Sequence, residues 1–210
     1  MKTPPKLDLY KTHKAEYAAP RKPVVVDLGA ASYLALSGQG APGGEAFTDS
    51  IGALYAMAFT IKMRRKFAGQ PDYTVCKLEA QWWSPGRGAE SMTVPKAQWC
   101  WNLLIRTPES VGPADLAAAV AVLRERGKSP RVSDVKLESL TEGPCVQMLH
   151  VGPYDQEPAT IARMLAHAQQ HGLRFHGRHH EIYLSDPRRV PPERLKTILR
   201  EPVEAAPPSG

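Results

Sequence analysis

The 210-residue chain is 42% hydrophobic and 23% charged, which is enough apolar material for one core without covalent staples. Its net charge of +6 is scattered, and no helix-turn-helix, zinc-finger or RNA-binding signature accompanies it, which argues against a nucleic-acid partner. No apolar run reaches the length of a membrane span and MKTPPKLDLYKTHK lacks the apolar centre of a signal peptide, so a cytoplasmic protein is expected.

In chain order, residues 1–23 are Lys- and Pro-rich and read as an extended arm that Leu7, Leu9, Tyr10 and Tyr17 can order. A strand follows over 32–37 (SYLALS), then the glycine-rich turn GQGAPGGE. That turn has neither the Lys-Ser/Thr ending of a phosphate-binding loop nor the dinucleotide fingerprint, and no cofactor is expected. Residues 48–67 read as a helix, with Ile51, Leu54, Tyr55, Ala58 and Ile61 at helical spacing and Lys62, Arg64, Arg65 and Lys66 gathered where the macrodipole favours cations. Strands over 73–83 and 97–107 flank the turn-rich SPGRGAESMTVPK. A connector helix, 113–127, carries Leu116, Val120 and Leu123 on one stripe.

The order then repeats. A strand over 145–152 leads to a helix over 155–171, with Asp155 as a candidate N-cap and Glu157 in its first turn. Short strands follow at LRFH and HHEIYLS, then a last helix over 192–200 and a flexible tail, 204–210. Cys76, Cys100 and Cys145 form no Cys-x-x-Cys pair, and His150, His176, His179 and His180 lack a metal-ligand spacing, so no metal is expected.

Each half therefore reads strand, helix, strand, strand. The expected fold is α+β: a single domain, 24–203, of two pseudo-symmetric β-α-β-β repeats, about 24–108 and 141–187. They form one antiparallel sheet with helices on one face and a ligand cleft on the other. NLLIRTP lines up with EIYLSDP, which sets Asn102 in the place of Glu181.

Side chains alternate along a strand, so Ala80 and Trp82 share one face and Glu79, Gln81 and Trp83 the other; His179, Glu181 and Tyr183 likewise oppose His180 and Ile182. Joining the two polar faces predicts an open groove in which Glu79, Glu181, Tyr183 and Trp83 meet. Acid among rings suits flat, hydrophobic or cationic ligands, although a simply solvated sheet face would give the same pattern.

LEAQWW, HVGPYDQEP and GRHHEIYLSDPRRVPPERLKTILR resemble the stand-alone members of the GyrI-like small-molecule-binding family. The resemblance implies a cleft for bulky aromatic compounds with a glutamate, here Glu181, at its floor. Some members of that family bind passively or inhibit gyrase, and others are similar to hydrolases that open the cyclopropane of DNA-alkylating pyrroloindole compounds.

For such chemistry Glu181 is the expected general base, with Tyr183, Tyr154 or a protonated Glu79 stabilising the developing oxyanion. Trp83, Tyr55 and Tyr33 are the expected aromatic walls, Trp101 a lesser one, and His179 a group that tunes Glu181. The expected partner is a hydrophobic aromatic small molecule, bound by a monomer or homodimer. The alternatives are a sequestering protein without turnover and a gyrase inhibitor.

Overall fold

The computed structural model describes residues 6–85 and 94–207, so most of the turn-rich segment SPGRGAESMTVPK lies outside the described residues. Two one-turn helices, α1 (Leu9–Thr12) and α2 (Lys14–Tyr17), precede β1 (Val24–Leu28) and β2 (Ala31–Gln39). The long helix α3 (Glu45–Phe67), β3 (Glu79–Trp83) and β4 (Cys100–Arg106) complete the first half. After the connector α4 (Pro113–Glu125) and β5 (Lys136–Leu140), the second half runs through β6 (Gly143–Val151), α5 (Glu157–Gln170), β7 (Leu173–Phe175), β8 (His179–Tyr183) and β9 (Lys196–Ala205).

The strands form one antiparallel sheet in the order β1-β6-β9-β8-β3-β4-β2-β5, with β7 also paired to β9. Read from the centre, β8-β9-β6 on one side mirrors β3-β4-β2 on the other, so the repeats are β2-α3-β3-β4 and β6-α5-β8-β9.

This corrects two expectations. Residues 192–200 form a single 3-10 turn, Pro192–Arg194, followed by β9, because an apolar run such as TIL fits either period and a central strand between β6 and β8 buries it on both faces. The second repeat therefore reaches beyond residue 187, and residues 204–205 of the expected tail are strand. The alignment of NLLIRTP with EIYLSDP also fails, since the counterpart of β4 is β9 and that of β8 is β3; Asn102 does not occupy the place of Glu181.

The helices lie on one face of the sheet. Leu54, Met57 and Ile61 of α3 are fully buried with Leu34, Leu36, Trp101 and Leu103, and Met164 and Ala168 of α5 are buried with Val146, Met148 and Leu199. Each such aliphatic side chain contributes about 1.5–3 kcal/mol by leaving water. Helix α3 packs on β2 and β4, and α5 on β6 and β7, so the central strands β3 and β8 run between the two helices. On the first-half floor, a Cβ at Gly38 would collide with the ring of Trp101 across the ladder, which explains a glycine within β2.

Candidate functional site

Register decides which side chains share a face. Ala80 pairs with Glu181 and Trp82 with His179, whereas Glu79 pairs with Ile182 and Gln81 with His180. Directly opposed residues on neighbouring strands point the same way. Glu181, His179 and Tyr183 therefore stand on the helix-bearing face with Trp82, in the gap between α3 and α5. The parity expected within each strand holds, but the two polar faces are on opposite sides of the sheet. Glu79 does not share a groove with Glu181.

On the helix-bearing face Glu181 Oε1 lies 3.3 Å from His179 Nε2. The Tyr183 hydroxyl lies beside Glu181 and accepts a hydrogen bond from Trp82 Nε1 at 3.2 Å. Burial, reinforced by Glu181, keeps that phenol far above its ordinary range, so it remains a neutral donor. Rings extend the wall: Tyr154 meets Tyr183 edge-on at 6.0 Å, Trp82 stacks on Phe47 at 5.3 Å and meets Trp99 at 5.9 Å. Tyr55 and Phe59 stack on α3, with Tyr55 close to Asp186 and Arg188 in the loop after β8. Phe59 and Tyr154 are 52% and 39% exposed, as expected of a rim rather than a core.

A second carboxyl group is present here, but it is Glu157, at the start of α5, where the sequence suggested only a helix-terminal acid. It is buried, and its Oε1 has no hydrogen-bond partner among the described residues. Desolvation first, then the nearby Glu181, raise its pKa to about 9. A helix N-terminus ordinarily favours the anion, so burial and like charge outweigh the macrodipole. At neutral pH Glu157 therefore keeps its proton in the neighbourhood of Glu181.

The opposite face carries the remaining expected residues in different employment. Glu79 is fully buried, contacts His180 Nε2 at 3.2 Å and accepts a hydrogen bond from the Tyr17 hydroxyl at 3.2 Å. His180 Nδ1 reaches Glu142 at 2.8 Å, and Glu142 also binds Arg200 at 2.9 Å. Arg106 binds Glu16 at 2.5 Å, and Arg200 donates to the Glu16 carbonyl at 2.9 Å. The amino-terminal arm thus covers the centre of this face, where an open groove was expected.

Tyr33 is buried on that face with Ala31, Ala35 and Leu104. Trp83 lies under the Arg178 guanidinium, 3.8 Å from the ring centre, and Asn102 links Ser37 and Glu138. Trp101 is wholly buried in the core. Of the expected walls, Tyr55 lies on the helix-bearing face, as does the expected oxyanion donor Tyr154, whereas Trp83, Tyr33 and Trp101 do not line the gap. Trp82 is buried in the core as its strand parity predicted, together with Phe47, and Trp99 packs against that cluster.

A cavity of about 620 Å3 lies beside the start of α5, lined by Arg21, Leu149, His150, Asp155, Thr160 and Arg163 among others. It does not include Glu181, and both ring nitrogens of His150 are already engaged, by Thr160 at 2.9 Å and the Pro153 carbonyl at 3.2 Å. Among the described residues no helix is long and apolar enough to cross a membrane.

Residues 21–204 match the model of the GyrI-like small molecule binding domain. Two crystal structures from Listeria innocua are similar over 95% of this chain and 100% of theirs. An uncharacterized conserved protein is 40% identical with a TM-score of 0.88, and a protein described as a hydrolase is 38% identical with a TM-score of 0.84. The EcmrR C-terminal domain, 9% identical, shares the fold over 88% of this chain and 98% of its own with a TM-score of 0.53. No curated protein matches the chain.

Proposed function

Because the chain belongs to the GyrI-like family of small-molecule-binding domains, we propose that the gap between α3 and α5 takes up a bulky planar aromatic compound and hydrolyses it by adding water across a strained ring. The observation that carries this reading is the pair of unlike carboxyls: Glu157, held protonated to about pH 9, beside Glu181 under a wall of rings. Stacking alone needs the rings; it does not need an acid and a base together.

The substrate class is a cyclopropane conjugated to a dienone, as in DNA-alkylating pyrroloindole compounds. Glu181 takes a proton from water as the water oxygen bonds to the ring methylene. The methylene–spiro carbon bond breaks, its electron pair moves through the dienone to the carbonyl oxygen, and that oxygen collects a proton to become a phenol. Glu157 or the neutral Tyr183 hydroxyl supplies the donor at that oxygen. The sum is substrate plus one water, with no oxidant or reductant. Removing the alkylator in this way is detoxification, and it is the role we assign to the protein.

The test is to incubate the protein with an excess of a cyclopropane-containing dienone and count the ring-opened water adduct by mass spectrometry. Many equivalents per protein are expected. Glu181→Gln should lose turnover by roughly a hundred- to ten-thousand-fold while keeping ligand-induced quenching of Trp fluorescence. Stoichiometric protection without product would instead establish a sequestering protein.

A further inference from the structure

Behind Glu181 lies a second carboxylate that does not reach the gap. Glu201, on β9, is 2% exposed and contacts His179 Nδ1 at 2.5 Å, while its Oε2 has no hydrogen-bond partner among the described residues. Continuing the β8–β9 register one step past His180 and Arg200 brings His179 opposite Glu201. The other ring nitrogen, Nε2, faces Glu181 Oε1 at 3.3 Å. Glu201, His179 and Glu181 therefore form one line across two strands, ending at the proposed base.

We propose that Glu201 and His179 are positioning residues: Glu201 fixes the ring through Nδ1 so that Nε2 bears a proton toward Glu181, orienting that carboxylate and giving it a counter-charge. This rests on the hydrolytic reading of the same site. The need for the device follows from the surroundings. The groups beside His179 are Glu181 on β8, Glu201 on β9 and Glu157 on α5, with Trp82 across on β3, while Tyr183 and Tyr154 lie near Glu181 and Glu157. Three are carboxyl groups, and His179 is the cation among them. Two neighbouring carboxyls would share one proton without a fixed owner. The ring removes that ambiguity because its hydrogen bond goes to Glu181 and not to Glu157.

Burial by itself would strip the proton from the imidazole, but Glu201 and Glu181 together outweigh it and hold the ring charged well above its ordinary range. The sign follows: function that depends on the imidazolium is present below the folded pKa of His179 and lost as pH rises through it. Without Glu201 that loss comes earlier. The bare Nε2 lone pair then faces a carboxylate oxygen, and Glu181 is no longer held.

Glu201→Gln should move the alkaline limb of kcat/KM for ring opening down by at least about one pH unit, a tenfold loss at a fixed alkaline pH. Activity should recover on the acid side, and Trp quenching by ligand should be unchanged. A uniform drop at every pH, or an unmoved limb in a folded variant, overturns the proposal.

Wild-type protein labelled with 15N-histidine gives an answer independent of turnover and of the variant's folding. His179 should show both ring nitrogens protonated through pH 8, and a ring that titrates near 6.5 overturns the relay whether or not hydrolysis is found. A doubly protonated ring in a protein with no turnover supports the electrostatic anchor and removes the hydrolytic reading alone.

Discussion

Strand β8 places two histidines in succession on opposite faces of one sheet, and each sits between two carboxylates. His180 lies between Glu79 and Glu142, and His179 between Glu181 and Glu201. The settings differ in charge balance. Around His180, Glu16, Glu79 and Glu142 are matched by Arg106, Arg200 and the ring, and the amino-terminal arm closes over them. Around His179, three carboxyls face one ring. A balanced buried cluster holds two pieces of chain together, whereas an unbalanced one must retain a proton, here on Glu157. The first serves stability, and the second leaves a group able to give its proton away.

Arg200→Met strikes the balanced side hardest. It leaves Glu142 buried beside His180 and frees the Glu16 carbonyl, at a cost of about 3–5 kcal/mol in denaturant unfolding at neutral pH. Ligand-induced quenching of the folded protein should stay the same. A loss of stability below about 1 kcal/mol would mean that the arm is not held by this cluster.

Glu157→Gln probes the other side through pH. The folded pKa of about 9 lies far above the ordinary carboxyl value, so the folded state holds this proton more tightly than the unfolded chain. Its contribution is full at acid pH and is lost as pH rises toward about 9. The Gln variant lacks that loss. Its Tm should exceed that of the wild type by on the order of 10 °C at pH 9 and converge with it near pH 4, measured by calorimetry. A gap that does not depend on pH would show that Glu157 does not carry the proton.

The mildest change is Tyr17→Phe, which removes the hydroxyl that donates to Glu79 and accepts from Arg106, and with it about 0.5–1.5 kcal/mol of stability. Turnover should be untouched, because Tyr17 lies across the sheet from Glu181. If turnover falls with it, the two faces are coupled through β8 and the separation drawn between them is wrong.

Much of this was legible from residues. The helical stripe of Leu54, Ala58 and Ile61 and the alternation that sets His179, Glu181 and Tyr183 on one face of their strand follow from local periodicity. What periodicity could not supply was Glu201, which follows the stretch 192–200 that reads as a helix and stands in β9, and the partner of Glu181. A second carboxyl was expected on the neighbouring strand, at Glu79, and was found on a helix, at Glu157.

The sequence by itself determined the two strand–helix–strand–strand units and which residues alternate along each strand, since both depend on the 3.6- and 2-residue repeats of a local backbone. Only the tertiary structure decided which alternating faces coincide. Pairing Ala80 with Glu181, rather than Glu79 with Glu181, is a register of one residue, and one residue reverses the face of every side chain on a strand.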